Sequence, residues 1–269
     1  MRMTRFALPA LLAAAVSATV LATPASAAAG KYVALGDSYA VAPGTYTYDD
    51  PSEQDPCRRG PLTYPRLWAA AHPDVAFTEA SCSGATTQEM LAQQVPQLTA
   101  DTTLVTVQVG GNDVGFVAVL QNCILTLDDQ DCIDGVEAAK AAATGALPAA
   151  LGGLYGAIRA AAPSAQVVVV GYPRLYTIGG DCGILGLSDR ERTALNSAAD
   201  TLADVISAQA AAAGFSYLDA RPVFDPHTLC SGNNEWVTTL EWEKLNESYH
   251  PNADGHRDGY LAALTAITG

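Results

Sequence analysis

The chain has 269 residues, 49% hydrophobic and 16% charged, with 28 acidic against 14 basic side chains and a net charge of −14. A surface this acidic repels phosphate backbones and anionic membranes, which argues against a nucleic-acid partner. Solubility outside a cell is the simplest use of such a charge.

The chain opens with a segment that reads as an export leader. Arg2 and Arg5 precede an uncharged apolar run from Phe6 to Leu21, and Pro24-Ala25-Ser26-Ala27 follows. A basic start, an apolar middle and a small-residue A-x-A site are the parts of a signal peptide, with cleavage expected after Ala27. An uncleaved anchor is the alternative, but the run is shorter than the roughly 20 residues that a membrane span needs. No later stretch is long and apolar enough to cross a bilayer. Residues 28–269 then carry 12 basic and 28 acidic side chains, a charge of −16, and their number suits one α/β domain.

After the leader, short β-rich runs alternate with alanine-rich helical patterns. Strands are expected at Lys31–Leu35, Val75–Glu79, Thr103–Val109, Gln166–Val170 and Phe215–Asp219. Helices are expected near Tyr64–Ala71, Thr86–Leu98, Val136–Ala162 and Ser188–Ala213, with a last one from Asn252 to Ile267. The third of these is expected to kink near Pro148. Strands separated by helices predict βαβ units and a parallel sheet, and the unbroken Val167–Val170 run suits a strand buried on both faces. The segments Ala42–Thr63, Leu120–Gly135, Tyr172–Leu187 and Pro222–Tyr249 read as irregular, and long loops in a compact enzyme usually shape its site. Neither an internal repeat nor a low-complexity linker is present.

Six cysteines, Cys57, Cys82, Cys123, Cys132, Cys182 and Cys230, in an exported chain predict disulfides. The simplest pairing is sequential, with all three bridges in loops. A zinc site is the competing reading, but there is no C-x-x-C pair and no histidine close to a cysteine pair.

Ligands bind at the carboxyl ends of parallel strands, and two candidate residues fall there: Ser38 after the first strand and Asn112 after the third. Gly36-Asp37-Ser38-Tyr39 alone is a weak signal, since Ser38 at a strand-to-helix turn suits a helix N-cap as well as a nucleophile. Gly110-Gly111-Asn112-Asp113 adds a neutral amide donor that suits an oxyanion. Ser248-Tyr249-His250-Pro251-Asn252 adds a base that titrates near neutrality. Serine, glycine, asparagine and histidine in this order resemble the SGNH (GDSL-type) hydrolase superfamily, with the nearest likeness to secreted actinobacterial lipases and esterases. The resemblance runs over nearly all of the mature chain.

That resemblance implies a three-layer α/β/α domain with a parallel, flavodoxin-like five-stranded sheet. Ser38 matches the nucleophile and His250 the base. Gly84, in Ser83-Gly84-Ala85-Thr86, matches a backbone oxyanion donor and Asn112 the side-chain donor, with the Ser38 N–H as the third. Asp37 and Asp113 belong to the motifs as turn-stabilising residues. The family pattern has aspartate three residues before the histidine, where this chain has Glu247. Either the Glu247 carboxylate or the Ser248 backbone carbonyl then orients His250, and the polar Asn246-Glu247-Ser248 context suggests a solvated glutamate. His72 and His227 read as structural, and His256 as packing in the last helix. The G-x-S-x-G elbow of α/β-hydrolases does not fit, because too little mature chain precedes Ser38 to build that sheet.

The implied chemistry is acyl transfer from a small-molecule or lipid ester, with no metal or organic cofactor and with a secreted monomer as the working form. Tyr176, Ile178, Ile184, Leu185 and Leu187 are expected either to line an acyl groove or to pack locally around Cys182. A carbohydrate acetyl esterase is the alternative and would show an open cleft with exposed tryptophans, for which Trp236 and Trp242 are available. A catalytically inactive binding protein is the reading from another class, and the presence of all four motif residues argues against it.

Overall fold

The structure, a computed structural model, describes residues 30–52, 54–126, 128–183 and 186–269. The expected leader and its cleavage site lie outside the described residues. Five parallel strands form one sheet in the order β2-β1-β3-β4-β5, comprising β1 Gly30–Gly36, β2 Val75–Glu79, β3 Leu104–Gln108, β4 Gln166–Val170 and β5 Ser216–Leu218. This is the flavodoxin-like order, with the first strand near the middle. Each strand lies at its expected place to within a residue or so.

Helices cover both faces, so the central strands are buried except at the first residues of β1 and β4. Val105, Val107 and Val167–Val170 are at most 2% exposed, each contributing about 1.5–3 kcal/mol by leaving water. The polar members of β3 are paired at least in part: Thr106 pairs with the Tyr32 hydroxyl at 2.8 Å, and Gln108 Nε2 donates to the Gly171 carbonyl at 3.0 Å while its Oε1 is buried without a partner. On one side α1 (Tyr64–Ala71) packs with the C-terminal helical segment, a π turn Gly255–Leu261 running into the last helix, Ala262–Thr268. Tyr64 and Tyr260 meet there as a tilted pair with ring centres 5.3 Å apart.

On the other side lie α2 (Thr87–Glu89), which continues as a π turn Met90–Gln94, and the helices α3 (Phe116–Leu125), α4 (Asp129–Gly145), α5 (Leu147–Ala161) and α6 (Asp189–Ala212). Capping boxes start two of them, Thr86 with Glu89 and Ser188 with Glu191. The expected kink is the break at Ala146, where α4 and α5 diverge by 46° just before Pro148. No single helix among the described residues is long and apolar enough to cross a membrane.

Leu120–Gly135 is not irregular, as expected, but mostly helical. It contains the end of α3 and the start of α4, which Asp128 caps by accepting the Gln130 N–H at 2.9 Å. The pairing of the cysteines is sequential, Cys57–Cys82, Cys123–Cys132 and Cys182–Cys230. Cys123–Cys132 joins α3 to α4, so that bridge staples two helices and not a loop.

Candidate active site

The turn after β1 carries Ser38 at the sheet's carboxyl edge. Its Oγ lies 2.8 Å from His250 Nε2, within hydrogen-bond reach. Among the described residues no helix follows Ser38 before Tyr64, so the N-cap alternative falls away. Neighbouring chain fixes the turn. Gln94 replaces the missing ladder partner of Gly36, accepting its N–H and donating to its carbonyl, both at 2.9 Å. Asp37 accepts the Tyr39 N–H at 2.9 Å and the Tyr172 hydroxyl, and Tyr172 accepts the Gly111 N–H at 3.4 Å. Burial raises the Asp37 carboxyl to about 7, against those two donated hydrogen bonds.

Gly111-Asn112 follows β3 on the neighbouring turn. One N–H of the Asn112 amide donates to the Ala85 carbonyl at 3.1 Å. An amide carries two such donors, and the side chain lines the same cleft as Ser38 and Gly84. Gly84, which lines the cleft, has φ +80° with no atom near the place a Cβ would take, a backbone conformation that favours glycine. Asp113 accepts from the Thr87 N–H at 3.1 Å and from its hydroxyl, fixing the start of α2 beside Gly84.

His250 rides on a segment clamped to residues 236–238. Val237 pairs with Pro251, the Thr238 N–H donates to the His250 carbonyl at 2.9 Å, and the His250 N–H donates to Thr238 Oγ1 at 3.2 Å. Tyr249, at φ +62°, is held by the Tyr39 hydroxyl donating to its carbonyl at 2.6 Å. Burial lowers the His250 imidazole to about 4, with the Ser248 carbonyl the strongest influence in the opposite direction. Nδ1 is buried with no acceptor in ordinary hydrogen-bond geometry, and that carbonyl does more than any other group to favour a proton on the ring.

Glu247 does not have the solvated setting that its sequence context suggested. It is 2% exposed, and its carboxylate accepts the Gly44 N–H at 2.7 Å, the Tyr48 hydroxyl and an Arg58 N–H at 2.5 Å. All three donors belong to the 42–63 loop. Its charge acts on the imidazole less than the Ser248 carbonyl does, and the Arg58 charge opposes it. Gly44 must be glycine: at φ +85° its Cβ would fall 2.6 Å from the Pro251 carbonyl oxygen.

The family model of the GDSL-like lipase/acylhydrolases matches residues 34–257, which span every one of these groups. The chain belongs to this family. It is 42% identical to Lipase 1 of Streptomyces coelicolor over 257 residues, 94% of each chain. A crystal structure of phospholipase A1 from Streptomyces albidoflavus superposes with a TM-score of 0.84 at 46% identity, over 89% of this chain and 99% of that one. The extracellular lipase of Streptomyces rimosus gives 0.83 at 42%, over 88% and 99%. More distant structures share the fold alone, among them an acetylxylan esterase from Geobacillus stearothermophilus at 14% identity, TM-score 0.52.

In this GDSL-family chain the cleft over Ser38 encloses about 390 Å³. Its apolar wall comes from Phe116, Val117, Leu120 and Ile124 of α3, with Leu202, Leu240 and Leu245 beside them. The groove expected from the loop after β4 lies elsewhere. Tyr176 and Leu187 line an adjoining recess with Cys182 and Trp242, Ile178 faces a third hollow, and Ile184 and Leu185 lie outside the described residues. A parallel bridge between Tyr176 and Leu229 ties that part of the loop to the 225–230 segment. Trp236 is 8% exposed and stacks on His227, so it is no cleft tryptophan, whereas Trp242 is exposed.

The other histidines occupy structural places. His72 stacks on Trp68 and contacts the Gly269 carbonyl, and His227 contacts the Asn234 carbonyl. His256 is fully buried and accepts the Tyr64 N–H at 3.3 Å. Sequence reasoning missed Gln94, Tyr172, Tyr48 and Arg58. Each acts on residues 58 to 199 positions away in the chain, and no local pattern marks such a partner.

Proposed function

We propose that this protein is a secreted, monomeric serine hydrolase that cleaves carboxylic esters of fatty acids, phospholipids among them, through an acyl-enzyme on Ser38. The observation that carries the reading is the 2.8 Å contact between Ser38 Oγ and His250 Nε2 at the floor of an apolar cleft. His250 takes the Ser38 proton as Oγ bonds to the ester carbonyl carbon. The carbonyl oxygen becomes an oxyanion held by the Ser38 and Gly84 N–H groups and the Asn112 amide. Collapse breaks the bond to the leaving oxygen, which receives the proton from His250. Water, deprotonated by the same histidine, adds to the acyl carbon; the acyl–Oγ bond then breaks, Ser38 Oγ takes the proton back from His250, and the acid leaves.

His250 needs an acceptor on Nδ1 to hold the reactive tautomer, and the Ser248 carbonyl is the group assigned to it, because the Glu247 carboxylate is engaged by three other donors. No cofactor enters this chemistry. The likeness to Streptomyces lipases and a phospholipase A1 supports an acyl-lipid substrate, and the aliphatic and aromatic wall from α3 supports it independently. Three disulfides and the leader-like start support export, and the net charge of −14 argues against nucleic acid.

A fluorophosphonate probe should label Ser38, and Ser38→Ala should lose both labelling and ester hydrolysis with its melting temperature kept. Labelling at another serine would overturn the assignment. Rates across a p-nitrophenyl ester series, with phosphatidylcholine and acetylated xylan alongside, should favour the acyl lipids, and a preference for xylan would move the reading to a carbohydrate esterase.

A further inference from the structure

Exposed apolar side chains are unevenly spread over this molecule. Among the described residues seven large ones are exposed: Tyr46, Leu91, Val117, Leu125, Ile178, Trp242 and Leu245. Five of these gather at the mouth of the cleft. Val117 and Leu245 line it directly. Leu125 lies two four-residue steps beyond Val117 on α3, through the cleft-lining Gln121, so all three share one helix face. Trp242 stands over the adjoining recess, which shares Ile124, Leu240 and Tyr249 with the cleft. Tyr46 is tied to the same loop, its hydroxyl donating to Glu241 and Lys244 lying 5.4 Å from its ring.

Scattered exposed apolar residues are ordinary, but a patch that rims a cleft marks an interaction surface. A tryptophan with exposed aliphatic neighbours is the composition that settles at a lipid–water boundary. The charge selects which lipid. The Thr239–Leu245 segment carries Glu241 and Glu243 against Lys244, and Asp181 and Glu235 line the recess beside it. An acidic rim is repelled by anionic headgroups and suits a surface that presents choline.

We propose that Tyr46, Val117, Leu125, Trp242 and Leu245 form a platform that docks the cleft mouth onto a zwitterionic lipid surface. The proposal rests on the acyl-ester reading above, since docking there would bring an acyl chain to the α3 wall without leaving the lipid phase.

The tryptophans make the contact observable. Trp68 and Trp236 are 5% and 8% exposed, while Trp242 is 65% exposed, so a change in emission on binding reports Trp242. Wild type titrated with vesicles of non-hydrolysable diether phosphatidylcholine should shift its emission to the blue and cosediment, and should bind diether phosphatidylglycerol vesicles more weakly. Leu125→Ser combined with Trp242→Ser changes two outward side chains and should leave the melting temperature and p-nitrophenyl butyrate hydrolysis within about twofold of wild type, while vesicle binding and phosphatidylcholine hydrolysis fall by about tenfold, equivalent to about 1.4 kcal/mol.

Unmoved wild-type emission with no cosedimentation would overturn the proposal, as would tighter binding to phosphatidylglycerol or full vesicle binding by the double variant. A concentration-dependent dimer without lipid, lost in the double variant, would assign the platform to a second copy of this chain and overturn it too. Wild type that binds vesicles but does not hydrolyse the soluble ester would instead remove the esterase reading.

Discussion

Glu247→Gln separates the two ways in which this chain can use its buried carboxylate. The side chain is 2% exposed and pairs with Arg58, itself 14% exposed. Its carboxylate also accepts the Gly44 N–H and the Tyr48 hydroxyl. Glutamine keeps the shape and one accepting oxygen, but turns an NH2 toward one donor and removes the negative charge beside Arg58. Removing one partner of a buried pair costs about 3–5 kcal/mol, and the retained oxygen brings the expectation to about 2–3 kcal/mol. In a chain of this size each kcal/mol moves the midpoint by about 2–4 °C, so the melting temperature should fall by roughly 5–10 °C. Catalysis should suffer far less. With the Ser248 carbonyl orienting His250, kcat should stay within about tenfold of wild type, equivalent to about 1.4 kcal/mol. A triad aspartate replaced by asparagine loses about 10⁴-fold. The assay is kcat on a soluble p-nitrophenyl ester at 25 °C, with a thermal melt of the same sample. A kcat loss above about a thousandfold in a variant still folded at the assay temperature would refute the carbonyl assignment.

Because burial holds His250 near 4 and only the neutral ring accepts the Ser38 proton, activity should be lost as pH falls through that value. A kcat/KM profile should therefore have its acid limb near pH 4, and a limb at the ordinary histidine value of about 6.5 would contradict the buried ring. Asn112→Ala should lower kcat by about 10²–10³-fold with little change in KM, measured on the same soluble ester. Mass spectrometry of the alkylated, unreduced protein should find no free thiol. Removing bridges singly by paired Cys→Ala changes should cost more stability the longer the loop closed, about 2.7 kcal/mol for Cys123–Cys132 and about 4 kcal/mol for Cys182–Cys230 in the chain-entropy picture, as read by urea unfolding.

The strands and motif turns were legible because their signals are local. The valine run of β4 and the alternation of strand and helix need no distant partner, and Ser38, Asn112 and His250 each sit in a short motif at an element's end. What escaped depends on contacts between distant segments. Leu120–Gly135 reads as irregular, yet it holds the end of α3 and the start of α4, which form because the two helices pack on each other and are joined by Cys123–Cys132. Missing α3 also displaced the acyl wall to the Tyr176–Leu187 loop. Asn246-Glu247-Ser248 reads as solvated for the same reason, since the donors that bury Glu247 lie near Arg58.

The 42–63 loop connects the two halves of the proposed machinery. At one end Gly44, Tyr48 and Arg58 grip Glu247, three residues before the base. At the other the Cys57–Cys82 bridge and the Ser83 N–H, donating to the Cys57 carbonyl at 3.2 Å, hold the turn that carries Gly84. The proposed base and a proposed oxyanion donor are thus both tied to one loop. The arrangement also explains why a buried carboxylate so near a histidine leaves the imidazole with a low pKa. Arg58 opposes the Glu247 charge at the ring, and desolvation then dominates. In the proposed mechanism the carboxylate serves as an anchor. The imidazolium formed during attack in that mechanism would be stabilised by the Ser248 carbonyl dipole and by the oxyanion beside it, whose negative charge would appear at the same moment and be held by the Asn112 amide and the backbone N–H groups. In the proposed mechanism, weaker support for the base raises the share of the barrier that the proposed oxyanion donors, Asn112 and Gly84 among them, must lower.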